Sequence, residues 1–357
     1  MNPNPLPPVG ILRLAVLAAL LAASAVAQAA VGTVSLPPGT ENGPVTVFYP
    51  TDTSPRLVEF GPGVSARIAP DAPVARGNGS LVMVSHGTGG GPWVYSELIA
   101  ELVGAGFVVA VPEHRHDNRQ DHSDPGPASF DRRPGEISHG IDAVLRDPRF
   151  APLLRSDRIG LYGMSAGGHT ALSMAGGRWS PAGLRDHCEA HLAQDFSFCT
   201  GLNLRLTGGP LDGLKQWVVR KVIRWRFDDA TPREYHDARI AAIVAAVPVA
   251  ADFDMASLVQ PRVPLALVTS GQDRWLVPRF HAERVLAACK TCEHLAHLPD
   301  GGHGAYLGPL PSAYGGMLAE MLNDPPGFDR SVMAGVNRAI VAYMVRHLGT
   351  AGEAPLP

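Results

Sequence analysis

The chain has 357 residues, of which 45% are hydrophobic, so it can bury a large core and form one large domain or two small ones. Its formal net charge is −3 at pH 7, and the two signs are interspersed along the sequence. This distribution offers no basic face for nucleic acid and no acidic tail. We therefore expect no binding to nucleic acid.

The first thirty residues are unlike the rest of the chain. Arg13 precedes an apolar, alanine-rich run from Leu14 to Val26, and small residues follow up to Ala30, as is typical of a signal-peptidase site. The run is shorter than the roughly 20 apolar residues that cross a membrane. We therefore interpret residues 1–29 as a cleaved export signal rather than an anchor, and residues 30–357 as a periplasmic or secreted domain.

Strand-like runs alternate with helical patterns along the mature chain. A first strand is predicted at 44–50, and Pro-rich and Gly-rich loops follow as far as Asn78. Further strands are predicted at 81–84, 106–112, 159–162, 240–247 and 264–270, with a last short one near 294–298. Helices are predicted at 93–102, 137–145, 167–174 and 331–347. The alternation predicts an α/β fold, with a mostly parallel sheet covered by helices on both faces.

One connection in this series is too long to be a loop. About sixty residues separate the helix after Ser165 from the strand at 240–247, so we predict an inserted helical cap over about 178–236. Within it, the segment from Leu214 to Trp225 is apolar on one side and basic elsewhere. We expect the apolar side to pack over the pocket mouth as a lid. Transient docking on a lipid surface is the alternative use of the same pattern.

The four cysteines gain meaning from the predicted export, because an oxidising compartment favours disulfides. Cys188 and Cys199 form one pair by sequence, and Cys289 and Cys292 form the other, although three pairings are possible. A zinc site built from all four is the alternative, but the spacing matches no zinc ribbon or finger. We predict the two local disulfides and no free thiol.

A strained corner is predicted at Ser165. The residues from Gly163 to Gly167 match the pattern G-x-S-x-G, with a buried strand before it and a helix after it. Small flanking residues permit a sharp turn that lifts the serine hydroxyl above the sheet edge. Ser165 is therefore the candidate nucleophile.

A serine nucleophile needs a histidine base and a carboxylate that orients the base, and in this pattern the order is Ser, then acid, then His. Asp273 follows the predicted strand that ends at Ser270, so it lies at a carboxyl end of the sheet, and we predict it as the acid. Asp252 and Asp254 follow the preceding strand and are the alternatives. Asp254 also has the simpler interpretation of capping the segment that begins at Met255.

His303 is the candidate base, because it lies in a glycine-flanked loop after the last predicted strand. His294 and His297 lie within that strand. His169, one helical turn after the serine, is expected to be structural.

Acyl transfer also requires hydrogen-bond donors aimed at the oxygen that becomes negative. The amide of Ala166, next to the nucleophile, is one candidate. The second is expected from the glycine-rich loop after residue 85, with the amide of Thr88 as the first choice and Gly89 as the alternative.

Six residues between 114 and 124 have side chains of the types that bind metal ions in proteins, and zinc and calcium are the ions they would suit. They are His114, His116, Asp117, Asp121, His122 and Asp124. No fixed ligand spacing is evident, so we interpret them as a solvated loop at the rim of the site and predict no metal and no organic cofactor.

Six segments in fixed order carry a resemblance to a known family. They are FYPTD at Phe48, SHGTGG at Ser85, RRPGEI at Arg132, GMSAGG at Gly163, SGQDRWLVP at Ser270 and GGHGAYL at Gly301. In these the chain resembles the α/β-hydrolases of the predicted dienelactone hydrolase group, which are related to platelet-activating factor acetylhydrolases. The resemblance covers nearly the whole mature chain, and it implies an α/β-hydrolase fold and ester hydrolysis through an acyl-enzyme.

Two departures from the family pattern matter. Dienelactone hydrolases in the strict sense use a cysteine nucleophile, whereas this chain has Ser165. In the acetylhydrolase relatives the acid follows an earlier strand, which keeps Asp252 and Asp254 open beside Asp273.

The expectation is thus an exported serine hydrolase that cleaves a small-molecule or lipid ester through a Ser-His-Asp triad. A hydrolase-fold binding protein without catalysis is one alternative, and an acyltransferase or peptidase is another, because one triad serves water, alcohol and amine chemistry. The sequence leaves the natural ester and the oligomeric state open.

Overall fold

The computed structural model of the protein describes residues 30–61, 63–201, 204–310 and 315–349; the predicted export signal, residues 1–29, lies outside them. Its strands are β1 (Ala30–Leu36), β2 (Val45–Thr51), β3 (Arg56–Gly61), β4 (Val64–Pro70), β5 (Leu81–Ser85), β6 (Val108–Pro112), β7 (Ile159–Met164), β8 (Arg178–Trp179), β9 (Ile240–Ala246), β10 (Phe253–Asp254), β11 (Leu265–Ser270) and β12 (Glu293–Leu298). Its α-helices are α1 (Ser96–Gly104), α2 (Pro127–Arg146), α3 (Ala166–Met174), α4 (Pro181–His191), α5 (Phe196–Thr200), α6 (Asp212–Arg226), α7 (Ala282–Ala288), α8 (Gly316–Leu322) and α9 (Met333–Leu348).

Ten strands form one sheet in the order β12-β11-β9-β7-β5-β6-β2-β1-β4-β3. The six strands from β12 to β6 are parallel, and β2 joins them antiparallel to β6. Every residue of β5 is buried, because alternate side chains enter two different cores. Leu81 and Met83 pack with α2 and α3, whereas Val82 and Val84 pack with α1 and α9. A mostly parallel sheet covered on both faces was predicted, and this architecture is confirmed.

The amino-terminal edge of the sheet differs from the prediction. The sequence pattern gave loops between 51 and 78, but β3 and β4 lie there and extend the sheet beyond β1. The residues of β3 are all exposed or half-exposed, because β3 is the outermost strand. Such a strand lacks the apolar run by which buried strands are recognised.

Helix α2 begins at Pro127, ten residues before the predicted start at Ile137. Its first half carries Ser129, Arg133 and Glu136, which are polar and nevertheless buried. Hydrophobic periodicity therefore shows only the second half of the helix.

The segment predicted as a cap, 178–236, contains β8, α4, α5 and α6. Helices α4, α5 and α6, with the chain between α4 and α5, share a small apolar core that is separate from the cores of the sheet. Its members are Leu184, Cys188, Leu192, Phe196, Val219 and Ile223. None of the helices in the described ranges has the length and apolar character that a membrane span requires.

A buried carboxylate links this segment to the rest of the fold. Asp195 accepts hydrogen bonds from Nε2 of His187, at 2.8 Å, and from Nε2 of His281, at 3.0 Å. His187 belongs to α4, whereas His281 immediately precedes α7 and accepts the amide of Ala250. Burial raises the pKa of Asp195, but the two imidazole hydrogen bonds outweigh that effect and lower it to about 2. The carboxylate therefore stays charged and holds both histidines.

The apolar side of α6 faces solvent, which differs from the lid expectation. Trp217 is 59% exposed and Trp225 is 81% exposed, and the helix is held from its other side by Val219 and Ile223. Neither tryptophan is among the residues that line the cleft beside α4.

Both predicted disulfides are present, Cys188–Cys199 and Cys289–Cys292, and the described residues include no free cysteine. The first bridge joins α4 to α5 on either side of Asp195. It therefore restrains the loop from which Asp195 reaches His281.

Removing the first bridge, in the double variant Cys188→Ser/Cys199→Ser, should lower the free energy of unfolding by about 3 kcal/mol, because the bridge closes a loop of about a dozen residues. The matched variant Cys289→Ser/Cys292→Ser opens a loop of about four residues and should cost about 2 kcal/mol or less. Equilibrium unfolding in urea, followed by circular dichroism, measures both. A smaller loss in the first variant than in the second would contradict this ranking.

Candidate active site

Ser165 lies on the corner between β7 and α3, as predicted. Its backbone has φ 59° and ψ −118°, in the left-handed half of conformational space that residues with a side chain rarely adopt. The corner is held on both sides of the serine. The Ser165 amide donates to the carbonyl of Ala246 at 3.0 Å, and the Ser165 carbonyl accepts the amide of Val249 at 3.1 Å.

Glycines make this corner possible. A Cβ atom on Gly163 would overlap the backbone of Gly167, and one on Gly167 would overlap the carbonyl of Ser85. Helix α3 therefore packs directly on the ends of β5 and β7. The glycines of G-x-S-x-G are required here by close backbone contact, because a methyl group has no space at either position.

The predicted nucleophile, base and acid lie together in one hydrogen-bonded chain. Oγ of Ser165 is 2.9 Å from Nε2 of His303, and Nδ1 of His303 is 2.7 Å from Oδ2 of Asp273. A carboxylate can only accept, so Nδ1 carries the proton and Nε2 is free to accept the serine hydroxyl proton. His303 and Asp273 are buried, whereas Ser165 is partly exposed and therefore accessible to a substrate.

Asp273 is fixed by its own loop. Its second oxygen, Oδ1, accepts the amides of Trp275 at 2.9 Å and Leu276 at 2.8 Å. Both carboxylate oxygens thus have donors, and the one facing His303 cannot rotate away without breaking two backbone hydrogen bonds. Such an acid holds the imidazole in one orientation.

The two alternative acids lie elsewhere. Oδ2 of Asp252 is 3.1 Å from Nε2 of His169, and both side chains are fully buried. Asp254 accepts the amide of Ala256 at 3.0 Å and pairs with Arg178, so it is the cap that its simpler interpretation predicted. Neither Asp252 nor Asp254 contacts the imidazole of His303.

The glycine-rich loop after β5 brings its amides beside the serine. The amides of Gly87, Gly89 and Gly90 already have acceptors, namely the hydroxyl of Tyr95, Oδ1 of Asp117 and a backbone carbonyl. The amide of Thr88 has no acceptor among the described residues, and the same holds for Gly91 at the end of the loop. Ala166 opens α3, where the first amides have no intrahelical acceptor. The amides of Thr88 and Ala166 are therefore both free to donate to a substrate oxygen.

A buried ion pair anchors this loop from behind. Arg133 of α2 is fully buried and donates to Oδ2 of Asp117 at 2.8 Å, to the hydroxyl of Ser129 at 2.8 Å and to the carbonyl of His86. Asp117 also accepts the Gly89 amide at 3.3 Å. Burial raises the pKa of Asp117, but the Arg133 charge and the hydrogen bonds from Ser129 and Arg133 together bring it below its usual range.

The sequence pattern predicts no role for Arg133, although this residue lies within the segment RRPGEI that carries part of the family resemblance. Asp117 and His114 are predicted in a solvated loop, and the structure corrects this, because both are fully buried. A charged residue buried on a helix gives no hydrophobic signal. Its place within the segment RRPGEI was the available clue.

The other candidate metal ligands, apart from His122, have side-chain partners, including Asp124, which pairs with Arg132 at 2.7 Å. Nδ1 of His114 donates to Glu136 at 2.6 Å, and Nε2 accepts the hydroxyl of Ser85 at 2.8 Å. Burial lowers the pKa of His114 and raises that of Glu136. His116 pairs with Asp121 at 2.8 Å on the surface. Within the described ranges, no three His, Cys, Asp or Glu side chains are grouped to hold a metal ion.

Comparisons with known proteins agree with this geometry at the level of the fold. Residues 72–123, which include β5, the loop of Thr88 and Asp117, match the model of a family described as platelet-activating factor acetylhydrolase, isoform II. A comparison with curated protein sequences gives no match. Among solved structures, a ferulic acid esterase from Streptomyces cinnamoneus is similar over 94% of each chain, with a TM-score of 0.56 and 16% sequence identity.

The isosteric change Asp117→Asn should lower the free energy of unfolding by about 3 kcal/mol. Every partner of Asp117 is a donor, so the amide NH₂ group of Asn must face another donor, and Arg133 is left buried without its counter-charge. Urea unfolding measures the loss. The control is Asp121→Asn, on the exposed part of the same loop, which should unfold like the wild type. Equal unfolding of the two variants would contradict the anchoring role.

Proposed function

Because the chain has the α/β-hydrolase fold, we propose that it is a serine hydrolase that cleaves carboxylic esters through an acyl-enzyme. The observation that carries this proposal is the continuous chain from Ser165 Oγ through His303 to Asp273, with both contacts below 3 Å. An ester hydrolase also fits the family model matched by residues 72–123 and the esterase whose fold is similar.

In the first half of the reaction, Nε2 of His303 accepts the hydroxyl proton as Ser165 Oγ attacks the ester carbonyl carbon. The carbonyl oxygen becomes negative and accepts hydrogen bonds from the amides of Thr88 and Ala166. The C–O bond to the alcohol then breaks, and His303 returns its proton to the departing oxygen. Asp273 stabilises the imidazolium while it exists.

In the second half, water replaces the alcohol. His303 takes a proton from the water as its oxygen attacks the acyl-enzyme carbonyl, and the same two amides stabilise the second oxyanion. Collapse of this intermediate releases the carboxylic acid and returns the proton to Ser165. No step requires a metal or an organic cofactor.

The strained backbone at Ser165 favours an enzyme over a binding protein of the same fold. A non-glycine residue in this conformation costs about 1–3 kcal/mol, and such strain persists where function uses it. A binding protein has no need to hold a hydroxyl 2.9 Å from an unprotonated imidazole nitrogen. The acyltransferase and peptidase alternatives remain, and adding an alcohol or a peptide to the assay distinguishes them by product.

Export is part of the proposal. Two disulfides are compatible with an oxidising compartment outside the cytoplasm, and they support the interpretation of residues 1–29 as a cleaved signal.

The substitution Ser165→Ala should reduce hydrolysis of an activated p-nitrophenyl ester by at least about 10³-fold, because the attacking oxygen is lost. A fluorophosphonate should add to the wild type and not to the variant, as read by intact mass. The matched control is Ser173→Ala, on the same helix, whose buried hydroxyl has no partner among the described residues. Residual turnover of Ser165→Ala within tenfold of the control would refute the assignment.

The acid is tested by two conservative variants of buried, histidine-paired carboxylates. Asp273→Asn should lower kcat by about 10⁴-fold, because the amide no longer holds the imidazole in the tautomer that accepts the serine proton. Asp252→Asn should leave kcat within about tenfold, since its partner is His169 and not His303. Rates on the same soluble ester decide between them, and the reverse ranking would move the acid to Asp252.

A further inference from the structure

Helix α6 presents an apolar surface that no part of the described structure covers. Six large hydrophobic side chains between 211 and 225 are exposed, by fractions from 41% to 81%. They are Leu211, Leu214, Trp217, Val218, Val222 and Trp225. We call this set the outer face of α6.

The outer face is a stripe along the helix. At 3.6 residues per turn, residues separated by three or four positions lie on one side, and Leu211, Leu214, Val218, Val222 and Trp225 follow this spacing. The opposite side buries Val219 and Ile223 in the small core of the cap. The helix is therefore held by one side, and its exposed side contributes nothing to the packing of the chain.

The outer face also does not line the main cleft beside α4. The cleft of about 850 Å³ beside α4 is lined by residues such as Trp179, His187 and Phe280, and α6 contributes no residue to it. The position of α6 therefore does not suggest that its apolar side forms a wall of a substrate pocket.

Cations border the outer face on both sides. By helical spacing, Arg220 and Arg224 lie along one edge, Lys215 and Arg226 lie along the other, and Lys221 lies between the apolar residues. The helix contains a single carboxylate, that of Asp212, and it is paired with Lys215. Arg224 also pairs with Glu189 of α4. Arg220, Lys221 and Arg226 have no carboxylate partner among the described residues, so the exposed side combines tryptophans with positive charge that is only partly paired.

We propose that the outer face of α6 docks the protein on a lipid surface that carries negative charge. Tryptophan and aliphatic side chains enter the boundary between headgroups and acyl chains, and the bordering Lys and Arg side chains contact anionic headgroups. A second copy of this chain fits less well, because two such faces would bring their rows of cations together. The inference does not rest on the proposed hydrolase activity.

The experiment measures binding of the purified protein to vesicles by co-sedimentation and by tryptophan fluorescence. The wild type should bind vesicles of phosphatidylglycerol and phosphatidylcholine with a blue shift, and it should bind pure phosphatidylcholine at least tenfold more weakly. Trp217→Ala/Trp225→Ala should weaken binding at least about tenfold, because each tryptophan loses its apolar contact. Lys221→Glu/Arg226→Glu should abolish the preference for anionic vesicles.

Controls keep the result interpretable. Leu57→Ala removes an exposed leucine, 67% accessible, from β3 and should bind like the wild type. Circular dichroism and hydrolysis of a soluble ester should be unchanged in all variants, since none of these residues contacts Ser165 or His303. The proposal would be overturned if the wild-type protein did not bind anionic vesicles, or if the tryptophan variant bound them as tightly as the wild type. A wild-type dimer that the tryptophan substitutions dissociate would also overturn it.

Discussion

The left-handed backbone at Ser165 is the constraint to which the surrounding structure is fitted. A φ of 59° is costly for a residue with a side chain, so the corner persists only because its neighbours leave the chain no alternative. Ala246 and Val249 bind the backbone on both sides of the serine, and the glycines at 163 and 167 let α3 rest directly on the sheet. Relaxing this corner would move Oγ away from the imidazole of His303, because only the backbone conformation holds the hydroxyl at that position.

Two buried carboxylates hold the segments around this corner. Asp117, paired with Arg133, fixes the loop whose free amide faces the reacting carbonyl in the proposed mechanism. Asp195 joins the predicted cap to His281, on the segment that continues from the acid loop. Irregular loops have no ladder of backbone hydrogen bonds to hold them, so a buried charge with several donors takes that role. The same low-polarity surroundings make the loss of either partner expensive.

How far the sequence predicts the fold depends on how deeply each element is buried. The central strands, such as β5 and β9, read as continuous apolar runs because both of their faces are covered, and they were predicted to within one or two residues. The edge strand β3 was missed because it has no buried side chain, and the first half of α2 was missed because its buried residues, such as Arg133, are polar. In both cases the sequence carries no hydrophobic pattern, because these elements form through contacts with distant segments of the chain.

The sequence by itself determined what depends on local spacing: the corner at Ser165, the glycine-flanked loop of His303, and the amphipathic pattern of α6. Only the tertiary structure shows which histidine each carboxylate contacts, because Asp273 and Asp252 both follow a parallel strand, yet Asp273 lies within hydrogen-bond distance of His303 and Asp252 of His169. It also decided that the apolar side of α6 faces outward. Periodicity defines two sides of a helix but not which one meets the protein, because that depends on surfaces contributed by residues far away in the chain.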